Sequence, residues 1–252
     1  MNRPSFLRGV ASAAIVAALL SPASSFAAKG DHDPAPKRAW SFDGPLGHFD
    51  LASVQRGYAV YAQVCSNCHG MEHVYFGDLR GMGLNDHQAE AVAESHTVPD
   101  GVEGKTRPAT LDDAFPTPPV ARGLTPGAVI PPDQSRLAVV YPGGPDRIYA
   151  LLTGYGPPPA GVTEAKDTFY NRFALGRTIA MPPPLHDGSV VYADGTQATL
   201  DQEAQDVTTF LAWVAQPHLD ERRRVGVRVT LYLLFLGCLL FILKRRVWSN
   251  VH

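Results

Sequence analysis

The sequence predicts a mainly α fold with long irregular loops, followed by one C-terminal transmembrane helix. Three observations carry this. Apolar residues recur at three- and four-residue spacing in three stretches, beginning near Val54, Ile148 and Ala204. Between these stretches lie segments rich in Gly and Pro with weak periodicity. From Val225 to Leu243 the chain is apolar apart from Arg228 and Thr230. Nineteen residues at about 1.5 Å each make roughly 28 Å of helix, close to the thickness of a bilayer core.

In chain order, residues 1–27 read as a cleavable signal peptide. Arg3 and Arg8 precede an apolar run from Val10 to Leu20, and Pro22 and Ser25-Phe26-Ala27 lead to a cleavage point after Ala27. The apolar run is too short to span a membrane. Residues 28–220 then form an exported domain with 13 Lys and Arg against 23 Asp and Glu, a net charge of −10. Such a surface attracts a basic soluble partner in a salt-dependent way, and no nucleic acid. The acidic excess between Asp86 and Asp113 is the expected docking rim.

Residues 29–49, with Pro34, Pro36, Gly44, Pro45 and Gly47, read as an irregular arm. A helix follows, capped by Asp50 or Ser53, with Val54, Tyr58, Tyr61 and Cys65 on one face. That face ends at Cys65-Ser66-Asn67-Cys68-His69, the attachment motif of a c-type haem. Each thiol can add across one vinyl group of the porphyrin, and the imidazole beside the second thiol is placed to ligate the iron. A structural zinc site needs two more thiolate or imidazole ligands at suitable spacing. A thioredoxin-like dithiol needs a βαβ context, and no strand pattern surrounds Cys65. The domain is therefore expected to be a c-type cytochrome domain, its long loops wrapped around one covalent haem.

From Gly70 to Pro142 a single short helix, His87–Ser95, is expected within loop. Helix returns at Gly144, with Pro145 at its first position, Asp146 in the first turn, an apolar face of Ile148, Leu151 and Leu152, and Gly154 as its stop. Further loop carries Pro157 to Gly161 and then Ile179-Ala180-Met181-Pro182-Pro183-Pro184-Leu185. The last helix of the exported domain is expected from Leu200 to Ala215, opened by a capping box of Thr199 with Gln202 and stopped by Pro217.

Residues 221–246 form the anchor. Arg222, Arg223 and Arg224 precede the apolar run and Lys244, Arg245 and Arg246 follow it, so basic charge does not set the orientation. Export does: the haem domain faces the periplasm of a bacterial inner membrane, the chain crosses the bilayer once, and residues 247–252 are a cytoplasmic tail. Cys238 falls within the bilayer and is expected to be a small apolar residue.

A thioether opposite the histidine favours ferrous iron and suits an electron carrier. Met1 leaves with the signal, and Met71 is too close to His69 to reach the opposite face. Met181 and Met82 remain, and the stiff triple proline after Met181 favours it, with His186 as a weaker rival.

At this point the residues resemble the cytochrome c1 family, the haem subunit of the cytochrome bc1 complex. The matching runs are WSFDGPLGHFD from Trp40, RGYAVYAQVCSNCHGM from Arg56, GPDRIYALLTGY from Gly144, IAMPPPL from Ile179 and DVTTFLAWVAQPHLDERRRVG from Asp206. The resemblance implies His69 and Met181 as the two axial ligands and Arg122 as partner of a haem propionate. It implies a membrane-anchored electron-transfer subunit of ubiquinol:cytochrome c oxidoreductase. That subunit takes one electron from the Rieske iron–sulfur protein and passes it to a soluble c-type cytochrome, with cytochrome b alongside. It is an electron carrier with no bond chemistry of its own. The alternative is an anchored monohaem subunit of another dehydrogenase or oxidase.

Overall fold

The structure is a computed structural model that describes residues 32–102, 104–127, 129–161 and 163–249. The signal peptide expected at 1–27 lies outside these residues.

The first helix, α1 (Leu51–Gln63), is capped by Asp50, whose carboxylate accepts from the Ala52 N–H at 3.0 Å. Ser53, the other cap expected from sequence, is instead buried. Its hydroxyl donates at 2.6 Å to Asp206 of a later helix. The segment expected to be loop holds more regular structure than its composition implies. A 3-10 helix runs over Phe76–Met82, and α2 (Asp86–Glu94) is closed by a reciprocal box between Asn85 and Gln88. A short antiparallel pair of β1 (Thr97–Pro99) and β2 (Thr106–Pro108) follows, and then the single turn α3 (Leu137–Val140). Helix α2 is the one expected at His87–Ser95, set one residue earlier; the other pieces are too short to show periodicity, which is why a pattern reading passes over them.

Helix α4 (Gly144–Thr153) has its proline in the first turn and ends at Gly154, as expected. Strands β3 (Phe169–Tyr170) and β4 (Thr178–Ile179) pair antiparallel just before Met181. Helix α5 (Leu200–Ala215) opens with Thr199 accepting from Gln202 N–H at 3.2 Å. The other half of the expected capping box is replaced: the Gln202 amide donates to Asp206 at 2.9 Å.

The core lies between α1 and α5. Tyr58, Tyr61, Phe115 and Phe210 interlock by edge and tilted contacts, Trp213 stacks on Phe210, and Val54, Val60, Val207 and Leu211 are buried around them. The two helices are in close contact at Gly57, where a Cβ would sit 2.0 Å from the Asp206 carbonyl oxygen. Asp206 is itself fully buried. It receives Arg56 Nε at 2.9 Å in addition to Ser53 and Gln202. This crossing fixes α1 against α5, and so the place at which the motif that follows α1 is presented.

Helix α6 (Leu219–Trp248) runs 30 residues without a break, about 45 Å. It starts before the basic cluster, so its first turns pack on the preceding domain. Asp220 accepts from Phe49 N–H at 3.1 Å, and Arg223 donates to the Gly47 carbonyl at 2.8 Å. Among the described residues it is the one helix long and apolar enough to cross a membrane, and none of its residues is buried.

Candidate haem site

The α-helix stops two residues before the motif, and Cys65–Asn67 form a single 3-10 turn. The N–H groups of Cys68 and His69 both donate to the Cys65 carbonyl, at 3.1 and 2.9 Å. The intervening side chains turn back on α1: Ser66 donates to Ala62 O at 2.9 Å and Asn67 to Val64 O at 3.1 Å. Both motif thiols are free. Burial, and then the neighbouring Cys68, pushes the Cys65 thiol up to about 12.

The segment after the motif is laced to the loop at Pro132–Ser135. Gln134 N–H donates to Gly70 O at 2.9 Å, Glu72 N–H to Asp133 at 2.8 Å, and His73 N–H to the Ser135 hydroxyl at 3.0 Å. Within this lacing, His69 Nδ1 lies 2.8 Å from the Pro132 carbonyl oxygen. A carbonyl can only accept, so Nδ1 carries the proton and Nε2 keeps its lone pair. Burial lowers the His69 pKa against the opposing pull of Pro132 and Asp133, which favours that neutral ring. Tyr61, buried in the core, donates to His69 O at 3.2 Å and ties the backbone of the same residue.

Met181 is half-buried, and its carbonyl accepts from the Tyr155 hydroxyl at 3.0 Å. The competing methionines are committed to the core: Met82 is 1% exposed and Met71 fully buried. His186 is exposed and sits within hydrogen-bonding distance of its neighbour's carbonyl, Asp187 O, at 3.0 Å. Arg122 is exposed on a turn closed by its own N–H to Pro118 O and Pro119 O, both at 3.2 Å.

The donor set fits a c-type haem. Two free thiols three positions apart share one turn with an imidazole whose outer nitrogen is fixed and whose inner nitrogen is free. Leu124, Val129 and Ile130, on the approach to the Pro131-Pro132 pair, are 63%, 69% and 59% exposed. Apolar side chains this exposed beside a ligand loop suit a large apolar macrocycle. A cleft of about 380 Å³ also opens at the motif's flank, lined by Tyr61, Ser66, His96, Phe115, Thr117 and Pro118.

The model of the Cytochrome C1 family matches residues 40–251, nearly all of the described chain. The chain belongs to the cytochrome c1 family. It is 38% identical over 240 residues to cytochrome c1 of Rhodospirillum rubrum, covering 85% of this chain and 88% of that protein. To cytochrome c1 1, heme protein, mitochondrial, of Arabidopsis thaliana it is 38% identical over 255 residues, 96% and 83% of the two chains. It is also 36% identical over 250 residues to cytochrome b/c1 of Bradyrhizobium diazoefficiens, covering 87% of this chain and 36% of that longer protein. As a cytochrome c1 family member the chain is an electron-transport haem protein, and its cofactor is one covalently bound c-type haem.

Motif spacing singled out Cys65, Cys68 and His69 as candidates, and loop stiffness favoured Met181. Spacing did not find the Pro132 carbonyl, the Tyr61 and Tyr155 hydroxyls or the Asp133 lacing, because each acts across at least eight residues of sequence and three of them across more than twenty. A proline pair with a following Asp was the one available sign.

Proposed function

We propose that this chain is a membrane-anchored one-electron relay of a quinol:cytochrome c oxidoreductase, filled by the Rieske iron–sulfur protein and emptied by a basic soluble c-type cytochrome. The observation that carries the reading is the His69 Nδ1 to Pro132 carbonyl bond, which sets the imidazole as a ligand in the way metal-bound histidines are commonly set. Cys65 and Cys68 would hold the haem by thioether bonds, and His69 Nε2 and Met181 Sδ would ligate its iron. Haem iron supplies the one-electron couple. The chain's own residues fix the ligands, exclude water and present charge to partners, and no nucleophile or proton relay is required of them.

Arg122 is the side chain we assign to a haem propionate. Replacing it with Gln removes a positive charge beside that carboxylate and lowers the midpoint potential. An unchanged potential would separate Arg122 from the haem.

Helix α6 anchors the domain in a bacterial inner membrane, with the haem on the periplasmic side and the C-terminus in the cytoplasm. A partnership with cytochrome b is supported by the relative whose name joins b and c1 in one chain. Isolation of the tagged chain in mild detergent tests the assembly. A b-type cytochrome and a Rieske centre are expected to accompany it, and their absence favours an anchored cytochrome of another dehydrogenase or oxidase. For the site, Met181→Leu is expected to lower the potential and let the reduced protein bind carbon monoxide. A variant with unchanged potential and spectrum removes Met181 from the iron.

A further inference from the structure

A thioether is a weak ligand, so its hold on iron depends on how firmly the chain presents it. After Met181 the chain runs through Pro182, Pro183 and Pro184, none of which has a backbone N–H to donate. Between Met181 and Leu185, the one hydrogen bond to the backbone among the described residues is that from the Tyr155 hydroxyl to the Met181 carbonyl, at 3.0 Å. The ends of the stretch are tied otherwise, upstream by the β3–β4 pairing through Ile179 and downstream by the buried Leu185. Tyr155 therefore pins the middle.

Tyr155 is itself held stiffly. It follows Gly154 at the end of α4 and forms a β-bridge with Asn171. Asn171 is fully buried; its amide donates to Leu151 O at 2.7 Å and its carbonyl oxygen accepts from Phe173 N–H at 3.0 Å. Arg172 N–H closes the other side on Gly154 O at 3.2 Å. Packing is so close that a Cβ on Gly154 would sit 2.5 Å from the Phe173 ring and 2.6 Å from the Asn171 oxygen. A rigid helix end, a buried amide and a phenol thus lead to the residue that presents the sulfur.

We propose that Tyr155 is the positioning residue for the Met181 ligand, its hydroxyl restraining the Met181 backbone so that the thioether stays on the iron. This rests on Met181 being the ligand, as proposed above. An external ligand competes with the sulfur for one iron position, so whatever loosens the sulfur raises the competitor's apparent affinity by the same factor. A hydrogen bond of ordinary net strength corresponds to a change of up to about tenfold.

The test uses the membrane complex with the haem in place. Imidazole is titrated into the oxidised protein and carbon monoxide into the reduced protein, and the far-red charge-transfer band of iron–thioether ligation is recorded. Tyr155→Phe keeps the ring and removes one oxygen. It is expected to bind both competitors several-fold to tenfold more tightly and to weaken the band. If Tyr155→Phe does not accumulate, a ring-fluorinated tyrosine at position 155, a stronger donor of the same shape, is expected to shift imidazole affinity the opposite way. Unchanged competitor affinity and an intact band, whatever happens to thermal stability, would make Tyr155 merely structural and overturn the proposal. Met181→Leu is measured in parallel. If it leaves band and affinities untouched, the ligand assignment fails and the role of Tyr155 with it; if it abolishes the band while Tyr155→Phe does nothing, only the role of Tyr155 fails.

Discussion

His69 and Pro132, 63 residues apart in sequence, are joined by a 2.8 Å hydrogen bond from the ring Nδ1 to the backbone carbonyl. The bond does two things at once. It selects the tautomer that leaves Nε2 able to ligate, and it makes the haem turn and the distant loop one mechanical unit. The loop could not offer its carbonyl reliably if it were held by that bond alone. Three neighbouring bonds, to Gly70, Glu72 and His73, hold it in register.

The first prediction concerns that register. Asp133 accepts from Glu72 N–H at 2.8 Å and from Ser135 N–H at 2.9 Å, one carboxylate oxygen each. Hydrogen bonds to a charged acceptor contribute about 1.5–3 kcal/mol each when lost from a protected site, less where water can replace them. Asp133→Ala should therefore destabilise the domain by about 1–3 kcal/mol in thermal or denaturant unfolding. Asp133→Asn, which keeps one acceptor oxygen, should lose about half as much. Equal losses would mean that charge rather than the paired geometry matters.

A second prediction turns on the helix crossing. In an exposed helix, Gly→Ala is stabilising by about 0.5–1 kcal/mol. At Gly57 the sign should reverse, because the new methyl carbon would lie 2.0 Å from the Asp206 carbonyl and 2.6 Å from Phe210 Cβ. Both obstacles are parts of α5 that cannot rotate away, so the helices must separate around a buried Arg56–Asp206 pair. Gly57→Ala should cost more than about 2 kcal/mol, in the range of overpacked cores. Asp206→Ala should cost about 3–5 kcal/mol, since it strands a largely buried guanidinium. A Gly57→Ala protein with unaltered unfolding midpoint would show that the crossing has more slack than the structure gives it.

Stability should also depend on pH through two carboxyls of opposite sign. Asp113 is held well below the usual carboxylate range, chiefly by Arg107 at 2.6 and 2.8 Å and by Thr110 N–H. Its folded pKa lies below its unfolded one, so its contribution is present above about pH 4 and is lost as pH falls. Glu203 is fully buried, and burial raises its pKa despite the Val190 N–H it accepts at 3.2 Å. Its folded pKa lies above the unfolded one, so folding is favoured below about pH 4.3 and loses ground as pH rises through the folded value. Asp113→Asn should flatten the acid limb of a stability-versus-pH curve. Glu203→Gln, which keeps an acceptor for Val190, should flatten the limb above it and leave the neutral-pH protein at least as stable. A Glu203→Gln protein that is less stable at pH 7 and just as pH-dependent would contradict this.

Legibility followed range. Helices α1, α4, α5 and the core of α6 were readable because their signals are local: a cap, a periodic face, a proline or glycine at the right end. The thiols and imidazole of the motif were readable for the same reason. Pairing across 27 to 171 residues was not, as with Gln55 to Met82 O or Phe49 to Asp220, because composition carries no register between distant loops. Ser53 shows the ambiguity within a local reading. A serine at a helix start can cap or can donate inward, and only the buried Asp206 opposite it decides. The start of α6 is hidden from the sequence for a related reason. Hydropathy marks where lipid begins, whereas the helix begins where Asp220 meets the arm.

The last prediction refines the acidic rim. Between Asp86 and Asp113 the charges are not equivalent. Asp86 is paired with Arg80 at 2.7 Å, and Asp100 and Asp113 share Arg107 at 3.8 and 2.6 Å. Paired carboxylates present little net field to an approaching protein. Glu90 and Glu94 on α2 and Asp112 beyond the β1–β2 pair are exposed, and no ion pair engages them among the described residues. These three should carry most of the attraction for a basic soluble cytochrome. Rim charges act mainly on association rate and are screened beyond about 8–10 Å at physiological salt. Glu90→Gln with Glu94→Gln should therefore slow second-order electron transfer severalfold at low ionic strength and leave it nearly unchanged at high salt. Asp86→Asn should do less, because it removes one charge where the Glu90/Glu94 variant removes two. Stopped-flow rates across a salt series separate the two. If the Asp86 variant slows encounter as much as the Glu90/Glu94 variant, the docking field is set by total charge and not by the unpaired face of α2.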